Sequence, residues 1–175
     1  MLADFELEIE KGKPYRNAPL DLNDMIERGE LKVYSYDSDI GHLRDLFNLG
    51  TDGSMRSGNN IPVEIRFEFV KPVILTGIRF RATNNNTDRF RVETTVSSKS
   101  LSNRFDSHFE NIPWKETVPS KKVDNDFQSD NMVAFDKSTQ TRILRFTFEK
   151  IGGDNFVHIA GLRLHSRQIV SDGWR

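Results

Sequence analysis

Catalysis and metal binding need particular side chains at particular spacings, and this chain offers few of them. Its four histidines are His42, His108, His158 and His165. No two have the spacing that puts paired ligands on one helix face. His158 and His165 fall on or near one predicted strand, where an imidazole at the surface or core edge is the ordinary reading and a metal ligand the alternative. Cysteine is absent, so disulfides, thiolate metal sites and a cysteine nucleophile are excluded. There is no nucleophile elbow, no His-Glu-x-x-His pattern and no glycine-rich phosphate loop. Gly152-Gly153 is a hairpin-turn signal instead. The acid pairs fall on outer strand faces or in polar loops. The expectation is a protein that is not an enzyme.

Binding chemistry is better represented. Arg66, Arg79, Arg81, Arg89, Arg91, Arg145 and Arg163 sit in the strongest strand patterns. Guanidinium groups gathered on one face would grip carboxylate or phosphate. Against this stands a solvated face in which Glu64, Glu68 and Glu93 serve as cross-strand partners. Two polar stretches, Asp52–Asn60 and Asn84–Arg89, carry amide, carboxylate and guanidinium groups able to make several directed hydrogen bonds to sugar hydroxyls. Their candidate ligand-binding residues are Asp52, Arg56, Asn84, Asn85, Asn86 and Arg89. Tight turns use the same residue types. Trp114 could stack on a sugar ring, and Trp174, in the tail, is a candidate partner contact.

These residues need a scaffold, and alternation supplies its outline. Pro62–Val70 places Val63, Ile65, Phe67 and Phe69 on one face and Glu64, Arg66 and Glu68 on the other. Val73–Ala82, Arg89–Val96, Thr141–Glu149 and Phe156–His165 alternate in the same way, the mark of half-buried strands. Shorter strands are expected at Asp4–Glu10, Lys32–Tyr36 and Trp114–Val118, and a short apolar piece at Met132–Phe135. Short helices are expected within Leu20–Glu30, with Asn23 as cap and Gly29 as stop, and at His42–Asn48. Thr51–Asn60, Ser97–Pro113 and Ser120–Asp130 read as loops. Many short strands between turn signals indicate an all-β sandwich or barrel.

Composition agrees. The chain has 175 residues, enough for one domain with a core that needs no staples. Thirteen phenylalanines against two tryptophans favour a dry core between sheets over a tryptophan-lined sugar platform. Basic residues number 25 and acidic residues 26, so no general pull toward nucleic acid or anionic lipid is expected. No stretch approaches the roughly 20 apolar residues of a membrane span. The N-terminus lacks the basic start and apolar run of an export signal, so cytoplasmic synthesis is expected.

The order of phrases resembles the discoidin, or coagulation-factor C-type, domain of the galactose-binding-like jelly rolls. The matching stretches are Leu49-Gly-Thr-Asp52-Gly53, Pro72-Val-Ile-Leu-Thr-Gly-Ile78, Phe90-Arg-Val-Glu-Thr-Thr-Val-Ser97, Trp114, Ile143-Leu-Arg-Phe146 and Ile159-Ala-Gly-Leu162. The resemblance covers about residues 45–165. It implies a jelly-roll β-sandwich as one domain, with residues 1–44 an extension carrying the first strands and short helices, and 166–175 a tail. It also implies that loops at one end do the recognition and that Trp114 is packed. Members of this family often hold a structural calcium near the Asp-Gly loop. Here Asp52 is in place, but Gly161 stands where the last strand would supply a Glu. Calcium takes six to eight oxygens, so no cofactor is expected, with calcium at Asp52 the one exception the resemblance admits.

Two functions follow. One is a non-catalytic module that binds a glycan or other cell-surface ligand, in a variant as part of a phage tail, baseplate or capsid. The other is a structural or docking subunit that contacts neighbouring protein subunits, as an oligomer or part of a larger assembly, with no small ligand.

Overall fold

A computed structural model describes residues 8–10, 13–35, 38–40, 43–47, 53–57, 63–82, 87–97, 112–124, 129–150 and 156–169. Its strands are β1 (Glu8–Glu10), β2 (Lys13–Pro19), β3 (Leu31–Tyr34), β4 (Ser38–Ile40), β5 (Gly53–Ser57), β6 (Val63–Ala82), β7 (Thr87–Thr95), β8 (Lys115–Lys122), β9 (Asn131–Lys150) and β10 (Phe156–Ile169). One short helix, α1 (Leu22–Glu27), and a 3-10 turn, Leu43–Leu46, complete the described elements. Hydrogen bonding runs in the order β1-β2-β10-β6-β9-β7-β8, with β3 on β6, β5 on β10 and β4 on β5. All of these pairings are antiparallel.

Two 20-residue strands organise the molecule. Val63–Phe69 of β6 lies between β3 and the second half of β9. Val70, Lys71 and Pro72 are exposed and the register jumps between Glu68 and Val73. The rest of β6 then lies between β10 and the first half of β9. The Phe80 ring shows where this second half goes. Phe80 pairs across the ladder with Asn131, yet its ring meets Phe90, Phe146 and Phe148 edge-on at centroid distances of 5.0, 5.2 and 5.5 Å. Those three residues belong to the β7 and β9 segments beside the first half of β6. The two halves therefore face each other as layers of a sandwich.

The core is the expected alternation made real. Val63, Ile65, Phe67, Phe69, Ile78, Phe80, Phe90, Val92, Leu144, Phe146, Phe148, Ile159 and Leu164 are all fully buried. Burying a Phe side chain stabilises by roughly 1.5–3 kcal/mol, and edge-to-face pairs add to that.

Several local expectations are corrected. Asp21, not Asn23, caps α1, its Oδ1 accepting from the Asp24 N–H at 3.0 Å. Gly29 does end the helix, at φ +73°. Gly53–Ser57, read as loop, is β5 and pairs with both β10 and β4, since ladder pairing needs only backbone groups. Lys13–Pro19 was not marked as a strand, because its polar, proline-bounded sequence carries no alternation. Met132–Phe135 and Thr141–Glu149 are parts of one strand, as are Val63–Val70 and Val73–Ala82. Ser120–Lys122 belongs to β8 rather than to a loop.

Candidate functional site

Strand ends Ser57, Val63, Ala82, Thr87, Lys150 and Phe156 gather at one end of the sandwich, as the ladder shows. Thr87 pairs with Lys150, Val63 with Phe148, Ile159 with Ala82 and Arg56 with Phe156. Arg56 therefore lies at this end of β5, between Asp39 and Phe156. Arg89 lies at the same end of β7, between Lys122 and Glu149. Its Nε donates to Ser120 Oγ at 2.8 Å and a terminal nitrogen donates to the Ser120 carbonyl at 2.9 Å, which holds the exposed guanidinium along β8. Asn131 steadies the same end from within: its buried amide exchanges two hydrogen bonds with the backbone of Asp124, at 2.7 and 3.0 Å. Of the candidate residues, Arg56 and Arg89 are thus brought to one end. Asp52, Asn84, Asn85, Asn86 and Trp174 lie outside the described residues.

The arginines divide between the layers. On the outer face of the first layer, Arg66 and Arg145 are directly opposite each other. Carboxylates separate them: Arg66 Nε donates to Glu64 at 2.9 Å, and Arg145 makes two bonds to Glu93 at 2.9 and 2.8 Å. Arg91 reaches Glu149 at 3.1 Å. The Trp114 ring centroid lies 4.3 Å from the Arg145 guanidinium carbon and 5.5 Å from that of Arg66, and the half-buried ring packs against this face. The pairing with Glu64 and Glu93 is as expected, but the face is not the solvated one anticipated. Arg66 is 5% and Glu68 1% exposed. Ile112, Trp114 and Tyr34 pack there against Ile143, and the Tyr34 hydroxyl donates to Glu68.

The outer face of the second layer is different. Arg79 and Arg81 alternate with the buried Ile78, Phe80 and Ala82 and share one carboxylate, Asp130. The Arg79 hydrogen bond, chiefly, holds the Asp130 carboxyl below its ordinary range; partial burial opposes this and Arg81 reinforces it.

At the opposite end from Arg89, the start of β8 and the bend of β9 enclose a cleft of about 220 Å³, lined by Lys115, Glu116, Thr117, Phe135, Asp136, Lys137 and Thr139. Sequence reasoning missed it, because strand pairing in space is what joins these two distant segments. Among the described residues no group of three or more His, Asp or Glu side chains could hold a metal ion. Gly161 has φ +63°, a conformation that a Glu at that position would adopt only with strain.

No family model matches the sequence, and no curated protein matches it. Solved structures do match the fold. The C-terminal domain of a chitobiase from Bacteroides fragilis aligns with a TM-score of 0.60 at 15% identity, covering 88% of this chain and 100% of that one. The fold is the discoidin-like, galactose-binding-like jelly roll. A family 32 carbohydrate-binding module of NanJ from Clostridium perfringens, solved in complex with galactose, aligns at TM-score 0.54 and 12% identity, covering 86% of this chain and 99% of that one. The family 32 module of AlyQ, solved with 4,5-unsaturated mannuronic acid, aligns at 0.54 and 17% identity, covering 76% of this chain and 92% of the module. At such identities the jelly roll is what is shared.

Proposed function

We propose that this chain is a non-catalytic glycan-binding module that takes its ligand at the sandwich end bearing Arg56 and Arg89. The observation behind this reading is that its jelly-roll neighbours include carbohydrate-binding modules solved with galactose and with a mannuronic acid. The local chemistry suits it: a guanidinium held in a fixed direction by Ser120 is a preorganised donor for hydroxyl oxygens. Asn84, Asn85 and Asn86, between Ala82 and Thr87, would add amide donors and acceptors. No cofactor is needed for such hydrogen bonding.

A glycan array read with calcium and again with chelator tests the reading. The expected result is a saturable hit that survives chelation, and a loss of about tenfold in affinity in Arg89→Ala, the effect of one charge-assisted hydrogen bond. A blank array in both buffers would overturn the reading and leave the docking-subunit function in its place. Loss on chelation alone would show that a divalent cation takes part, and Asp52→Ala would then test whether Asp52 holds it.

A further inference from the structure

We propose that the outer face of the second layer is a separate binding surface for a carboxylate-bearing polysaccharide, gripped by Arg79, Arg81 and Arg163. Arg163 stands directly opposite Arg79 in the β10–β6 ladder, and Leu164 and Ile78, the next pair along, are fully buried. Arg79 and Arg163 therefore share the outward face. Like charges directly opposite each other on antiparallel strands destabilise a sheet. The first layer meets the same problem, Arg66 opposite Arg145, with Glu64, Glu93 and the Trp114 ring. Among the described residues the second layer offers Asp130 alone, and it is already shared by Arg79 and Arg81. No ion pair of Arg163 is present among the described residues. Among these residues three guanidinium groups thus meet one carboxylate, with the Arg79 and Arg81 side chains 36% and 32% exposed. Met132, paired with Arg79 on its other side, is 55% exposed and gives the patch an apolar border.

The chemistry selects the ligand. A guanidinium fork matches a carboxylate in two parallel hydrogen bonds. Guanidinium groups set along neighbouring strands, Arg79 and Arg81 on β6 and Arg163 on β10, suit an extended chain that repeats its carboxylates, not a single sugar in a pit. Nucleic acid is disfavoured, because 25 basic and 26 acidic residues leave no net positive field to draw in a polyphosphate. This surface is independent of the end that bears Arg89, so either reading can fail without the other.

The test is retention on immobilised polygalacturonate at low salt, with a neutral galactan and duplex DNA as comparison matrices. Retention by polygalacturonate, release by salt, and about tenfold weaker binding in Arg163→Ala and in Arg79→Ala are expected. Arg163→Lys, which keeps the charge and loses the fork, should bind less well than the native chain. No retention, retention indifferent to Arg163 and Arg79, or equal retention on DNA would overturn the proposal. Melting temperature is the second readout: relief of the like-charge pair predicts that Arg163→Ala melts at or above the native temperature. A clear fall would assign Arg163 to structure and overturn the proposal as well.

Discussion

Asp130 is one carboxylate set between two guanidinium groups, and its ionisation is tied to folding. Its pKa in the folded chain lies below the ordinary value of 3.8, chiefly through Arg79. A depressed carboxyl pKa contributes stability that is present in full above the unfolded value and lost as pH falls through the folded one. Asp130→Asn should therefore lower stability at neutral pH by about 1 kcal/mol, a modest figure for a partly exposed pair. The deficit should shrink as pH falls below 3.8, a trend that denaturant titrations at several pH values would reveal. At this scale the sequence was only partly informative. The outward direction of Arg79 and Arg81 follows from alternation with Ile78 and Phe80. That Asp130 meets Arg79 and Arg81, 51 and 49 residues away in the chain, depends on the pairing of β6 with β9 and leaves no local trace.

The strands themselves were legible where alternation is strong and obscure where backbone pairing alone decides. VEIRFEFV, TRILRFTFE and FVHIAGLRL announce a buried face, and each lies within a long strand. β2 and β5 do not, since Lys13–Pro19 and Gly53–Ser57 are joined to their neighbours on both sides by backbone pairing and carry no apolar stripe in the sequence. The continuity of β6 through Pro72 was also hidden, because a proline beside exposed residues reads as a break. Gly77 shows how tightly this strand is fitted. A Cβ built there would lie 2.8 Å from the Val133 carbonyl oxygen, and that backbone belongs to the next strand. Gly77→Ala should push β6 and β9 apart beside their register shift between Leu75 and Gly77 and destabilise by about 1–3 kcal/mol, measurable as a lower denaturation midpoint with an unchanged slope. That the strand positions of Arg56 and Arg89 fall at one end of the sandwich follows from pairing between distant strands, and the cleft beside Phe135 likewise needed the fold to be seen.

For the whole molecule, the decisive feature is that the same two strands, β6 and β9, serve both layers. Here neither layer can open without drawing out half of a strand that the other layer holds. Phe80 reinforces this, since it grows from one layer and is seated among the phenylalanines of the other. Opening should then be all-or-none, with little sub-global exchange. Native-state hydrogen exchange should find the amides of Ile65 and Phe67 exchanging with the same free energy as those of Ile78 and Phe80. A gap of several kcal/mol between the two sets would show that the bend at Val70–Pro72 acts as a boundary between cooperative units. A shared pair of strands also bears on mechanics. Tension applied to the ends of β6 and β9 would pass into both halves of the core at once, and the sandwich would let go as a single unit.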